Sequence, residues 1–136
     1  MLAQSAMLCL ALNIYHEARG EPVIGQVAVA NVTMNRAEQN SSAVCSVVYA
    51  PKQFSWTLTK SPHFRPPASD PSWQRAQLIA KYAIQGGVRD VTRGSTHYHA
   101  QHVSPPWRLS MRRTVVIGNH IFYRGPYVQT GRKTGP

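Results

Sequence analysis

Apolar residues run almost unbroken from Ala6 to Tyr15, with Leu8, Leu12 and Tyr15 on one helical face and Leu10 and Ile14 beside them. A surface that broad predicts a helix buried on several sides, the central helix of the fold. Ser5 is placed to cap its start, and Gly20 with Pro22 stops it near Arg19, because proline inside a helix costs a hydrogen bond. Glu17 then falls in the final turn. A second helix is predicted from Pro22 or Val23 to Asn40, carrying Val27, Ala30, Val32 and Met34, with Pro22 suited to its first turn. Ser41 and Ser42 offer a new cap, and Val44, Val47 and Val48 suit one face of a short helix over 43–49.

Polar and aromatic residues alternate at Gln53-Phe54-Ser55-Trp56, which reads as an extended strand with Gln53 and Ser55 on one face. A Pro- and Ser-rich loop follows, and Asp70-Pro71 opens a third long helix through Gly86. The run from Thr96 to Ala100 alternates again, with His97 and His99 sharing a face opposite Tyr98. Past a Pro-Pro-Trp corner at Pro105 to Trp107, two β-rich runs, Thr114 to Ile117 and His120 to Tyr123, meet at Gly118-Asn119, a Gly-first hairpin turn. The expected class is α+β, mostly helical with a small β-hairpin element. It forms one domain over residues 1–124, followed by a basic, flexible tail at 125–136.

Composition changes this picture in two ways. The chain carries fifteen Lys and Arg against five Asp and Glu, a formal charge of +10. Eight of the basic residues and only Asp90 among the acids lie in residues 89–136, so the C-terminal third is the positive pole. That excess favours polyanionic partners: nucleic acid, phosphate-decorated envelope polymers, or acidic membrane and peptidoglycan surfaces. The opening apolar run lacks a basic leader and a small-residue cleavage pattern and is too short to span a bilayer, so neither a signal peptide nor stable membrane insertion is expected. Cys9 and Cys45 allow one pairing, but a chain made without an export signal is expected to keep them as buried thiols.

Acids are scarce enough that each needs a reason. Glu17, delivered to the edge of a core by an apolar helix, is expected to have a raised pKa and to donate a proton; Arg19 opposes this if it turns inward. Glu21 reads as a loop or first-turn acid, Glu38 as a solvated helix end, Asp70 as a cap, and Asp90 sits between basic residues. An ordinary glycosidase needs two carboxylates. One glutamic acid still suffices if it protonates the glycosidic oxygen and then takes a proton from an internal sugar hydroxyl, the chemistry of lytic transglycosylation. Hydrolysis by water is the runner-up. A zinc amidase built on His97, His99 and His102, with His16 or His63, competes, but His16-Glu17 has no second histidine in helical register and no Asp or Cys lies near the later histidines. No metal or cofactor is therefore expected. A basic nucleic-acid binder using Arg89, Arg93, Arg108, Arg112 and Arg113 accounts for the charge but leaves Glu17 idle, and no helix-turn-helix, ribonucleoprotein or zinc-finger pattern is present.

The segment Leu10 to Pro22, then Gly25 to Ala30 and Asn35-Arg36, resembles the SleB-type cell wall hydrolase family. Gln53 to Trp56, Thr96 to Ala100, Trp107 and Ile117 to Tyr123 resemble its later blocks in order. The resemblance implies a lysozyme-like domain that cleaves peptidoglycan between N-acetylmuramic acid and N-acetylglucosamine, with Glu17 matching the catalytic glutamate. On this reading Gln53 and Ser55 hydrogen-bond sugar hydroxyl or acetamido groups, and Trp56, Tyr98 and Trp107 stack on sugar faces. Glu21 and His99 complete the expected binding set. The partners are glycan strands and, through the basic surface, anionic envelope, with the protein a monomer and no nucleic acid involved. It acts at the cell wall, as a phage endolysin held in the cytoplasm until release or as a trimmed exported enzyme.

Overall fold

The structure is a computed structural model and describes residues 5–50, 53–61 and 63–126. Its axis is α1, Ala6–Ala18, capped by Ser5, whose hydroxyl accepts the Leu8 N–H at 3.1 Å. Cys9, Leu10, Ala11, Leu12 and Ile14 are all buried, as expected of a helix apolar on several sides. Three helices surround it: α2, Val23–Arg36; α3, Val44–Val48, which follows a 3-10 turn at Ser41–Ala43; and α5, Pro71–Ile84. Between α3 and α5 lies the one-turn helix α4, Trp56–Thr59. No helix among the described residues is long and apolar enough to cross a membrane.

Polar groups inside this bundle are paired, which fixes its register. Asn13 on α1 donates to the Thr33 hydroxyl of α2 at 3.4 Å and accepts the Trp56 indole N–H at 2.8 Å. Asp70 caps α5 through Ser72 and accepts the Tyr15 hydroxyl, each at 2.8 Å, so the start of α5 is tied to the end of α1. Along α2, Asn31 binds the Arg89 carbonyl and the Val91 N–H, while Asn35 binds Asp90 and the Ser95 carbonyl. That polar face sutures the loop before the sheet to the helices.

The sheet has three antiparallel strands in the order β1-β3-β2: β1, His97–Ala100; β2, Met111–Ile117; β3, His120–Pro126. The expected hairpin is β2–β3, turning at Gly118 with φ 56. The His97 run joins β3 as an edge strand, and Phe122 of β3 is buried against Ala28 and Val32 of α2.

Four expectations need correction. Residues 53–56 form a turn leading into α4, not a strand: Thr57 and Leu58 N–H groups bond to the Phe54 and Ser55 carbonyls, leaving the backbone nothing to pair as a sheet. The second helix ends at Arg36, because Glu38 and Gln39 take left-handed φ values of 54° and 61°. Asn40, not Ser41 or Ser42, caps the next turn, accepting the Ser42 N–H at 3.0 Å. Cys9 and Cys45 are not thiols but a disulfide, since packing of α3 on α1 brings their Cα atoms to 5.3 Å. Of the expected tail at 125–136, residues 127–136 lie outside the described residues, and Gly125 and Pro126 belong to β3.

Candidate active site

The last turn of α1, the end of α2, the Gln53 turn, β1 and the Trp107 corner enclose a cleft of about 470 Å³. Among the described residues Glu17 is its only lining carboxylate. Half-buried beside apolar surface, Glu17 has a pKa raised by desolvation and partly restrained by a hydrogen bond. The donor is Tyr98, whose hydroxyl lies 2.5 Å from Glu17 Oε1. Burial and the neighbouring carboxylate push the Tyr98 phenol well above its ordinary range, so it stays a donor at any working pH. Arg19 turns away to the Tyr15 carbonyl and ring and does not oppose the raised pKa of Glu17.

The opposite wall is ordered by a residue whose role the sequence did not reveal. Arg36, in the last turn of α2, donates from Nη1 to the Thr96 carbonyl at 3.2 Å and to His97 Nε2 at 3.1 Å, and from Nη2 to Gln53 Oε1 at 2.7 Å. Burial lowers its pKa, but an arginine remains a cation. One guanidinium thus clamps β1 to the Gln53 turn across the cleft. Because Gln53 accepts through its oxygen, its amide nitrogen has no partner among the described residues and can donate into the cleft. His97 donates from Nδ1 to Thr96 Oγ1 at 2.9 Å, and burial and Arg36 depress its pKa, which keeps it neutral.

His99 is buried and fully engaged. Its Nδ1–H donates to the Ala100 carbonyl, so Nε2 accepts the Tyr123 hydroxyl, both at 2.8 Å. Trp107, in the 3-10 turn Pro106–Ser110, sits edge-on to His99 and Tyr123 and near His97, and exposes part of its ring to the cleft. The ring nitrogens of His97 and His99 are all engaged in these hydrogen bonds. No group of three or more His, Cys, Asp or Glu is arranged to hold a metal among the described residues.

Five of the eight expected site residues therefore meet in the cleft: Glu17, Gln53, Tyr98, His99 and Trp107. Three do not line it. Ser55 is exposed at the start of α4. Trp56 is buried, stacked on His16 at 4.5 Å between centroids and bonded to Asn13. Glu21 accepts the Asn119 N–H at 2.9 Å and lies 3.9 Å from His120 Nδ1, tying the α1–α2 link to the hairpin turn. Gly118 takes a φ of 56° there, a backbone conformation that favours glycine, and a Cβ would displace the Glu21 carboxylate.

The sequence pattern of the cell wall hydrolase family matches residues 20–123. The chain belongs to the cell wall hydrolase family. Among members of the family, this chain is 34% identical over 116 residues to the spore cortex-lytic enzyme of Halalkalibacterium halodurans, a match covering 83% of this chain and 33% of that one. It is 30% identical over 116 residues to the Bacillus subtilis spore cortex-lytic enzyme, covering 83% and 35%. The chain thus spans about a third of the length of these relatives. The catalytic domain of the germination-specific lytic transglycosylase SleB from Bacillus anthracis superposes with a TM-score of 0.73 at 28% identity, covering 90% of this chain and 97% of that one. The Bacillus cereus SleB catalytic domain gives 0.70 at 28% identity, covering 91% and 93%. The cell wall hydrolase fold seen here is the lysozyme-like one. The matched family segment begins after Glu17, so the case for that residue rests on its geometry.

Proposed function

We propose that this cell wall hydrolase is a peptidoglycan lytic transglycosylase that cleaves between N-acetylmuramic acid and N-acetylglucosamine, with Glu17 as acid and then base. The observation that carries the reading is a single, desolvated carboxylate in the cleft, held on one oxygen by a permanent donor. With Oε1 occupied by Tyr98, the proton resides on Oε2 and is delivered to the glycosidic oxygen. The C1–O bond breaks, and positive charge develops at C1 of the muramic residue. Glu17, now a carboxylate stabilised by Tyr98, takes the proton of the same residue's C6 hydroxyl. The C6 oxygen then closes on C1, giving a 1,6-anhydro end and an intact leaving sugar. Proton and atoms balance without water, and a second carboxylate has no step to serve.

Gln53 and Trp107 supply an amide donor and an aromatic face for the acetamido groups and sugar rings. The Cys9–Cys45 disulfide supports action outside the reducing cytoplasm. Mass spectrometry of digested sacculi tests the reaction: anhydro-muropeptides, lighter than hydrolytic ends by one water, are expected. Exclusively hydrated reducing ends would make the enzyme a muramidase, and free stem peptides would make it an amidase.

A further inference from the structure

A second concavity, of about 230 Å³, is lined by Arg93, Arg112, Arg113, Thr114 and Arg124. Its basic rim is built, not incidental. Arg93 is held at a left-handed φ of 58° by a turn in which Asp90 accepts from the Thr92 N–H and hydroxyl and from the Gly94 N–H, at 2.7–3.0 Å. The other call on Asp90 is the Asn35 amide, so the one acid close in sequence is spent on the turn. Among the described residues no carboxylate pairs with Arg93, Arg113 or Arg124. Guanidinium groups gathered in this way repel one another until an anion enters, and their planar forks match carboxylates in two-point contacts.

The concavity is coupled to the cleft by the sheet. His97 pairs with Tyr123, and Tyr123 with Arg113, so these three lie in one row across β1, β3 and β2, while Arg124 pairs with Arg112 in the next row, and Arg113 is the arginine in line with the cleft wall. Two strand spacings put Arg113 about 10 Å from the cleft wall. In peptidoglycan the lactyl group of muramic acid carries a peptide stem rich in free carboxylates. Three extended residues cover about 10 Å, so a stem that starts in the cleft brings its acidic groups to the arginines. The hollow admits a carboxylate or two, not a folded partner.

We propose that the Arg93–Arg113–Arg124 concavity is a subsite for the carboxylates of the peptide stem on the muramic residue bound in the cleft. It rests on the peptidoglycan reading above, and it makes peptide-substituted strands the preferred substrate. The test compares the protein with an Arg113→Gln/Arg124→Gln variant on peptide-bearing glycan strands, on strands stripped by an amidase, and on strands whose stem carboxylates are amidated. The expected result is a preference of about ten- to hundredfold in kcat/KM for free-carboxylate stems, lost in the variant, with equal rates on stripped strands. Arg113→Glu should push peptide-bearing strands below stripped ones. Equal wild-type rates on all three substrates, or a variant that keeps the preference, overturns the subsite while leaving the cleft's activity intact. A preference that follows phosphodiester polymers on the wall, and vanishes when they are removed, overturns it in favour of those polymers. Cleavage of none of the strands removes the peptidoglycan reading itself.

Discussion

Tyr98 and Glu17, 81 positions apart in the chain, share a hydrogen bond of 2.5 Å that pulls the acid's pKa down while burial pushes it up. Donation requires the protonated acid, so activity falls as pH rises through the Glu17 pKa. Removing the hydroxyl removes the hydrogen bond that favours the carboxylate. Tyr98→Phe is therefore expected to move the alkaline limb of the kcat/KM–pH profile upward while lowering the maximum rate. A limb that stays in place or moves down would take Tyr98 out of this role.

Glu17→Gln should lower turnover by about three orders of magnitude or more, because in the proposed mechanism one residue carries both proton transfers. Its effect on stability has the opposite sign. A folded pKa raised above the unfolded one stabilises the fold only at acid pH, and the contribution is lost as pH rises through the folded value. Glutamine, neutral and able to accept from Tyr98, escapes that loss. The variant's melting temperature at pH 7 should equal or exceed the wild type's, and the gap should close towards pH 4. A marked drop at neutral pH would reveal a structural role for the carboxylate.

Arg36→Lys tests the clamp. A lysine keeps the charge but cannot reach Gln53, the Thr96 carbonyl and His97 together. Loss of one or two charge-assisted bonds costs about 1.5–3 kcal/mol, a ten- to hundredfold fall in kcat/KM. Steady-state kinetics with a melt of the same sample checks this, and an unchanged KM with unchanged turnover would show that the cleft holds its shape without the guanidinium.

Three histidines make the fold sensitive to mild acid. Burial lowers His16 from 6.5 to about 4, and it also depresses His97 and His120. The unfolded chain binds more protons below pH 6.5, so stability should decline as pH falls from about 6.5 towards 4, before most carboxylates titrate. Calorimetry across that window should show a falling melting temperature, with a shallower slope in His16→Gln. A flat profile would contradict the neutral burial of these rings.

The Cys9–Cys45 bond closes a separation of 36 residues. Loop-closure entropy makes this worth about 3–4 kcal/mol, on the order of 10 °C in melting temperature. Reduction, or Cys45→Ser, should cost that much while leaving the shape of the pH–rate profile unchanged. Insensitivity of the melt to reductant would show that the helices hold α3 without it.

Much of this arrangement could be read from residues whose signals are local. The apolar run and its Ser5, Gly20 and Pro22 punctuation gave α1 and placed Glu17 in its last turn; Asp70-Pro71 marked α5; His-Tyr-His alternation separated Tyr98 from His97 and His99. What failed was either short or long-range. Four alternating residues at 53–56 cannot distinguish a strand from a turn whose Phe54 and Trp56 are each buried separately. Nothing in Glu38-Gln39 announces left-handed backbone as a glycine would. Arg36 entered only as part of the Asn35-Arg36 block with no role assigned, since its partners are 17, 60 and 61 positions away. The cysteine pairing depends on helices that only tertiary packing brings together.

Among the described residues, those lining the cleft lie at or before Trp107, yet β1 pairs with β3, and Tyr123 of that strand steadies His99. A polypeptide halted at Ser110 contains these residues but lacks the strand with which β1 pairs. Chains lacking residues 120–126 are therefore expected to lose the pairing of β1 and, with it, the geometry of the cleft wall.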